Sequence, residues 1–279
     1  MQDVMSQYVP EAIAGIWSPR MRIEIQRMLW STIYCAQGDV GVHECDEAII
    51  EAMSRATADI DLESIRRREQ TTRHDLKASL EEFLHVAAVP EVLHLGCTSA
   101  DIVDNVSLIQ MAMSCNVLGQ LTGNDLLGSW PSWLPFRGIT GPMGTGQDQL
   151  DLMGGDQGKY QAFQQMVAGS FGFQTLMIST GQVYHRSVDL MYASNLMLLA
   201  NDHRATHLLA SGYLQMIAGY SGDQWNEGDV STSVVRRVAL PGVTFAAAAA
   251  VHGALHEEAK RATEEASPGS TTTRHDGYI

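Results

Sequence analysis

Apolar positions recur at helical spacing along most of the chain, and the breaks between them carry helix-capping residues. After Ser18-Pro19, an N-cap followed by proline at the first helical position, Ile23, Met28, Leu29, Trp30, Ile33 and Tyr34 fall largely on one helical face, and Gly38 and Gly41 end it. Glu47 to Ala58 predicts a second helix, and Asp61 caps a short basic one whose Arg66, Arg67 and Arg68 read as a solvated face. Asp75 is expected to cap the next helix, where Leu76, Leu80, Phe83 and Leu84 keep the period. Thr98-Ser99-Ala100-Asp101 has the form of a capping box ahead of Ile102, Val103, Val106, Ile109 and Met113.

Between Gly119 and Pro135 the period is lost among glycine, proline and two tryptophans, which predicts a loop. Helix resumes from Lys159 to Phe171. A long helical stretch follows from Gln182 to about Tyr220, and another segment from Trp225 to Leu240. Beyond the alanine run Ala246–Ala250 the text turns polar and predicts a disordered tail. Alternating β-branched runs are missing, so the expected class is all-α. The expected division is an N-terminal helical unit over 1–97, a central helical bundle over 98–245 and an alanine-rich segment with its tail over 246–279.

Charge narrows the partners. With 279 residues and a formal net charge of -14, the chain would be repelled by nucleic-acid phosphates, and an anionic small molecule would have to be held by local arginines. The first residues lack a basic stretch followed by an apolar one, and no run of about 18 apolar residues suggests a bilayer span, so a soluble cytoplasmic protein is expected. Four cysteines without paired spacing read as reduced core thiols. His203 and His207, like His252 and His256, are four apart but lack the glutamate of a zinc-protease motif and read as solvated faces. No metal and no cofactor is expected.

The usable chemistry concentrates between Thr71 and Asn105. Arg73-His74-Asp75 combines a cation, a proton carrier and a carboxylate; His94 follows in a glycine turn. Thr98 and Ser99 stand at a helix start, where free backbone N–H groups and the helix dipole favour an anion. Gln182 with Arg186, and Ser233 with Arg237, are four apart, so a helix would bring each pair to one face. A hydroxyl beside a guanidinium suits a phosphate.

Six collinear segments resemble adenylosuccinate lyase, in its actinobacterial form, within the fumarase/aspartase superfamily. They are IWSP (Ile16–Pro19), RHDLKASLEEF (Arg73–Phe83), HLGCTSADIVDNV (His94–Val106), FRGITGPMGTGQDQLDLMGGD (Phe136–Asp156), TGQVYHRSVD (Thr180–Asp189) and QWNEGDVSTSVVRRVALP (Gln224–Pro241). The resemblance implies a long-helix bundle, a homotetramer with shared active sites, and elimination of fumarate from adenylosuccinate to give AMP. The same chemistry would cleave the succinylated imidazole carboxamide ribotide of purine and IMP synthesis. It also implies roles: Arg73, His74 and Asp75 as a nucleotide-binding triplet, His94 as the second active-site histidine, and Thr98 and Ser99 as the seat of the succinyl carboxylates. Gln182 and Arg186 fall on substrate-contacting positions, and Ser233 and Arg237 on the AMP-phosphate site.

Two family motifs have no counterpart. A Gly-Arg-Thr/Ser-His motif carrying the general acid belongs in the interval occupied here by GQLTGNDLLGSWPSW. The Gly-Ser-Ser loop carrying the serine base belongs between Leu190 and Asp223. Gln7-Tyr8 stands where the family has Arg-Tyr. The expected function is therefore a lyase-like protein with a shortened central bundle and impaired proton transfer. The alternative is a non-catalytic helical remnant that binds nucleotide or a partner subunit.

Overall fold

The computed structural model describes residues 8–129, 134–142, 144–177, 183–220 and 230–265. Helices α1 (Glu11–Ile16) and α2 (Pro19–Asp39) open the described chain. Ser18 caps α2 as its sequence requires, its Oγ accepting from Met21 N at 3.1 Å. Ile23, Ile25, Leu29, Trp30, Ile33 and Tyr34 are buried, whereas Met28, expected on the same face, is exposed. Then come α3 (Glu47–Ala56) and α4 (Leu62–Thr72), the latter capped by Asp61.

Helix α5 (Asp75–Ala87) corrects one expectation: its N-cap is His74, and Asp75 is its first residue. Arg73 takes a left-handed conformation, φ 54°, which ends α4 and turns the chain so that His74 Nδ1 accepts from Lys77 N at 3.3 Å. The imidazole thereby satisfies a helix-start donor that a carboxylate was expected to take.

Helix α6 (Ser99–Thr122) ends at left-handed Gly123, and α7 (Asp125–Gly128), α8 (Gln147–Leu152) and α9 (Gln157–Ser170) follow. Two three-residue strands, β1 (Pro135–Arg137) and β2 (Thr175–Met177), pair in parallel, with Phe136 opposite Leu176. They are the described strands of a molecule otherwise built from helices, so the class is all-α.

The stretch expected to run as one helix to Tyr220 is divided. Helix α10 (Val183–Leu199) stops at a 3-10 turn, Ala200–Asp202, and an extended His203 leads into α11 (Arg204–Tyr220). The break has polar stitching: Thr206 Oγ1 donates to Ala200 O and His203 O, and His207 Nδ1 lies 2.8 Å from Asn201 Oδ1. Short polar side chains offer the backbone these local alternatives to helix, so no glycine or proline is needed.

Helix α12 (Val230–Glu265) runs straight through Pro241 and the alanine run. Ala246, Ala247 and Ala248 are fully buried, and a Cβ added at Gly242 would lie 2.4 Å from the Tyr213 ring. Small residues are what let α12 approach α10 and α11 closely. By length and composition its Ser233–Thr263 part could cross a membrane, but 56% of that window is buried inside the protein. The disordered tail expected at the C-terminus falls largely on 266–279, outside the described residues.

One large hydrophobic core draws on every described helix except α4, whose Ile65 packs in a small separate cluster with Ile23, Ile60 and Ala78. Into it is set a buried ion pair, Arg27–Glu82, that ties α2 to α5, with both side chains 0% exposed.

Candidate functional site

The starts of α5 and α6 meet. His74 Nε2 lies 3.2 Å from Ser99 Oγ, so the triplet after α4 and the hydroxyl of the capping segment, 25 residues apart, form one polar patch. Asp75, beside His74, accepts a 2.6 Å hydrogen bond from Arg237 Nη2 of α12, both side chains being about one-third exposed. Burial pushes the Asp75 carboxyl up, but the Arg237 guanidinium and its hydrogen bond outweigh that and hold it below the usual range. Ser233 sits one turn before Arg237 on the same helix, half-buried. Arg73 is exposed at the end of α4.

His94 also has positive φ, 70°. Its Nδ1 accepts from Trp30 Nε1 at 3.1 Å, which places the proton of the neutral ring on Nε2. Burial, and then charge on nearby His74, lowers its pKa from the ordinary histidine value. His94 is thus held neutral, in a set tautomer, beside the His74–Ser99 patch, and it borders an open cavity of about 1030 Å³.

Thr98 caps α6, and its N–H donates to Asp101 Oδ2 at 2.9 Å. The Asp101 carboxylate is fully buried. It also accepts from Thr140 N at 3.0 Å, Thr140 Oγ1 at 2.9 Å and Gly141 N at 2.9 Å. It therefore fastens the Gly-rich segment after β1 to the start of α6. Burial raises its pKa, against Arg137 and three backbone donors.

A second buried network lies beneath Arg237. Arg236 grips Asp189 of α10 through Nε at 2.6 Å and Nη2 at 3.0 Å, and also Asp104 of α6. Asp104 binds Arg137 of β1 as well, and Tyr220 donates to Asp189 at 3.2 Å. Arg186 belongs to this network: it lies 5.6 Å from the Tyr220 ring centroid and is buried, and burial followed by Arg236 lowers its pKa. The structure thus brings together His74, Asp75, Ser99 and Arg237, with His94 adjoining, and sets Arg186 in the neighbouring network. Gln182 lies outside the described residues.

Sequence reasoning missed Arg22. This residue of α2 lines a small cavity of about 60 Å³ with Gln26, Gln110, Arg236 and Arg237. Burial, then the neighbouring Arg237 charge, lowers its pKa, while Asp75 and Glu69 pull the other way. A readable signal existed: Arg22 and Gln26 are polar at helical spacing on a helix whose inward positions are mostly apolar. Among the described residues, no three His, Cys, Asp or Glu side chains come together as metal ligands.

No protein-family profile matches the chain. Its all-α bundle is the fold of the fumarase/aspartase lyases. It superposes on 3-carboxy-cis,cis-muconate lactonizing enzyme from Pseudomonas putida with TM-score 0.66 at 14% identity, covering 90% of this chain and 74% of that one. Fumarate lyase from Mesorhizobium sp. BNC1 matches with TM-score 0.57 at 13% identity, over 88% and 74% of the two chains. In sequence the chain is similar to the adenylosuccinate lyases of Schizosaccharomyces pombe (26% identical) and Saccharomyces cerevisiae (25% identical), each over 66% of this chain and 48% of the relative. It spans about half the length of the curated relatives it matches.

Proposed function

We propose that this chain is an adenylosuccinate-lyase-like protein of purine biosynthesis that holds adenylosuccinate, or its products AMP and fumarate, at the meeting point of α5, α6 and α12. The observation that carries this is the convergence of three distant segments: His74 against Ser99 at 3.2 Å and Asp75 against Arg237 at 2.6 Å. A cation with a nearby hydroxyl, Arg237 and Ser233, suits the nucleotide phosphate. The α6 start, with Thr98 and Ser99, suits a succinyl carboxylate. Arg73, Gln182 and Arg186 complete the substrate contacts in this reading, and the succinylated imidazole carboxamide ribotide is its second substrate.

The reaction would be elimination: a base takes the proton beside one carboxylate, charge collects on that carboxylate, and an acid protonates the departing nitrogen. His94, neutral and with its proton on Nε2, is a proton carrier this site retains beside His74. The histidine and serine motifs that normally supply acid and base have no counterpart in the sequence. Each such group is worth about 10²–10⁴-fold in rate, so binding should outlast turnover.

The reading includes a cytoplasmic homotetramer. Leu198, Leu208, Leu209, Met216 and Val234, exposed on α10–α12, offer the apolar surface such an assembly needs.

The test is to purify the chain, titrate AMP calorimetrically and follow adenylosuccinate conversion to AMP and fumarate by chromatography. Saturable AMP binding with turnover at least about 100-fold below a full-length relative supports the proposal. Turnover at the relative's rate would show that the missing motifs are dispensable. Absence of binding by either nucleotide would overturn the proposal.

A further inference from the structure

We propose that Cys35 and Cys45 form a reversible intramolecular disulfide, a peroxide-responsive modification site on the wall of the His94 cavity. The segment after α2 folds back along that helix and lays Cys45 across its last turn. Cys45 Sγ lies 3.9 Å from the Cys35 carbonyl oxygen. A Cβ added at Gly38, one turn beyond Cys35, would stand only 2.1 Å from Cys45 Sγ and 3.3 Å from His43 Cε1. Gly38 is therefore the notch into which the Cys45 side chain fits. His43 holds the fold-back in place by stacking on Tyr34, ring centroids 4.3 Å apart.

The two thiols are within reach of solvent, Cys45 exposed and Cys35 half-buried, whereas Cys97 and Cys115 are buried. Burial, then the neighbouring Cys45, raises the Cys35 pKa. Cys97 and Cys115 are shielded from solvent, and burial pushes the Cys115 thiol up to about 12 and Cys97 well above the ordinary value, so both serve as internal controls.

The chemistry balances with hydrogen peroxide as oxidant. The Cys45 thiolate attacks one peroxide oxygen, the O–O bond breaks, and the departing hydroxide takes a proton to become water, leaving a sulfenic acid. The Cys35 thiolate then attacks that sulfur, the S–O bond breaks, and the second hydroxide leaves as water. Two thiols are oxidised to one disulfide while peroxide is reduced to two waters. The bond ties the 40–46 loop to the end of α2, and a dithiol reductant releases it.

Intact-mass and peptide mapping of the full chain after brief peroxide treatment tests this. The expected result is loss of two hydrogens, reversed by dithiothreitol, with one cross-linked peptide joining Cys35 to Cys45, and no such loss in Cys45→Ser or Cys35→Ser. Gly38→Ala, which fills the notch without removing a thiol, should slow closure about tenfold or more, as misplaced reacting atoms do. The proposal fails if the mass is unchanged, if Cys45 runs to sulfinic acid while Cys35 stays a thiol, or if the cross-link uses other cysteines or joins two chains. It also fails if Gly38→Ala closes at the wild-type rate.

Discussion

Replacing Glu82 by glutamine should cost this protein about 3–5 kcal/mol, because it leaves Arg27 charged and dry. Arg27 is fully buried; it donates to Ala56 O, to Asp59 O at 2.9 Å and to Glu82, with its guanidinium 4.9 Å from the Phe83 ring centroid. Glu82 Oε1 accepts from Asp61 N at 3.1 Å. Glutamine keeps the shape and one acceptor but removes the countercharge in a site water does not reach. At about 2–4 °C per kcal/mol for a chain of this order, the melting temperature should fall by roughly 6–20 °C.

The mechanism is tested by a double-mutant cycle in reversible urea unfolding. In an Arg27→Met background Glu82 is itself the stranded buried charge, so Glu82→Gln should cost nothing or restore stability there. Equal costs in both backgrounds, or less than about 1 kcal/mol in the wild-type one, would refute the reasoning. The pair matters to the site because α2 carries Arg22 and α5 carries His74 and Asp75.

Three further outcomes are expected. His94, its pKa depressed, binds protons less readily folded than unfolded; its contribution to stability is complete above about pH 6.5 and lost as pH falls through its lower folded value, which its NMR titration should place below 6.5. Asp75 contributes stability present above about pH 3.9 that is lost as pH falls through its depressed folded value; Arg237→Ala should raise the Asp75 NMR midpoint and weaken AMP binding about 10–100-fold. Asp101→Ala strands the Thr98, Thr140 and Gly141 N–H groups, so it should cost at least about 3 kcal/mol in urea unfolding and open the 138–146 segment to limited proteolysis.

Helical period and capping chemistry made the helices readable one at a time. Ser18, Asp61 and the Thr98–Asp101 segment mark helix starts in the structure because each is a local hydrogen-bonding event. The cap at α5 was misread because either His74 or Asp75 can accept there, and the left-handed turn at Arg73 selects the histidine. The split between α10 and α11 lacked glycine or proline to announce it; its polar stitching involves side chains that helix interiors also tolerate.

The candidate site divides in the same way. Arg73-His74-Asp75, Thr98-Ser99 and the Ser233–Arg237 spacing stand out in the linear text because neighbouring residues of complementary chemistry are informative by themselves. Only the packed molecule joins Ser99 to His74, Arg237 to Asp75 and Trp30 to His94, and only it reveals Arg22 beside them. These contacts span from 25 residues of chain, between His74 and Ser99, to 162, between Asp75 and Arg237. The reason is physical: period and caps are set by interactions within a few residues, whereas the partners of a side chain are chosen by which helix faces pack together.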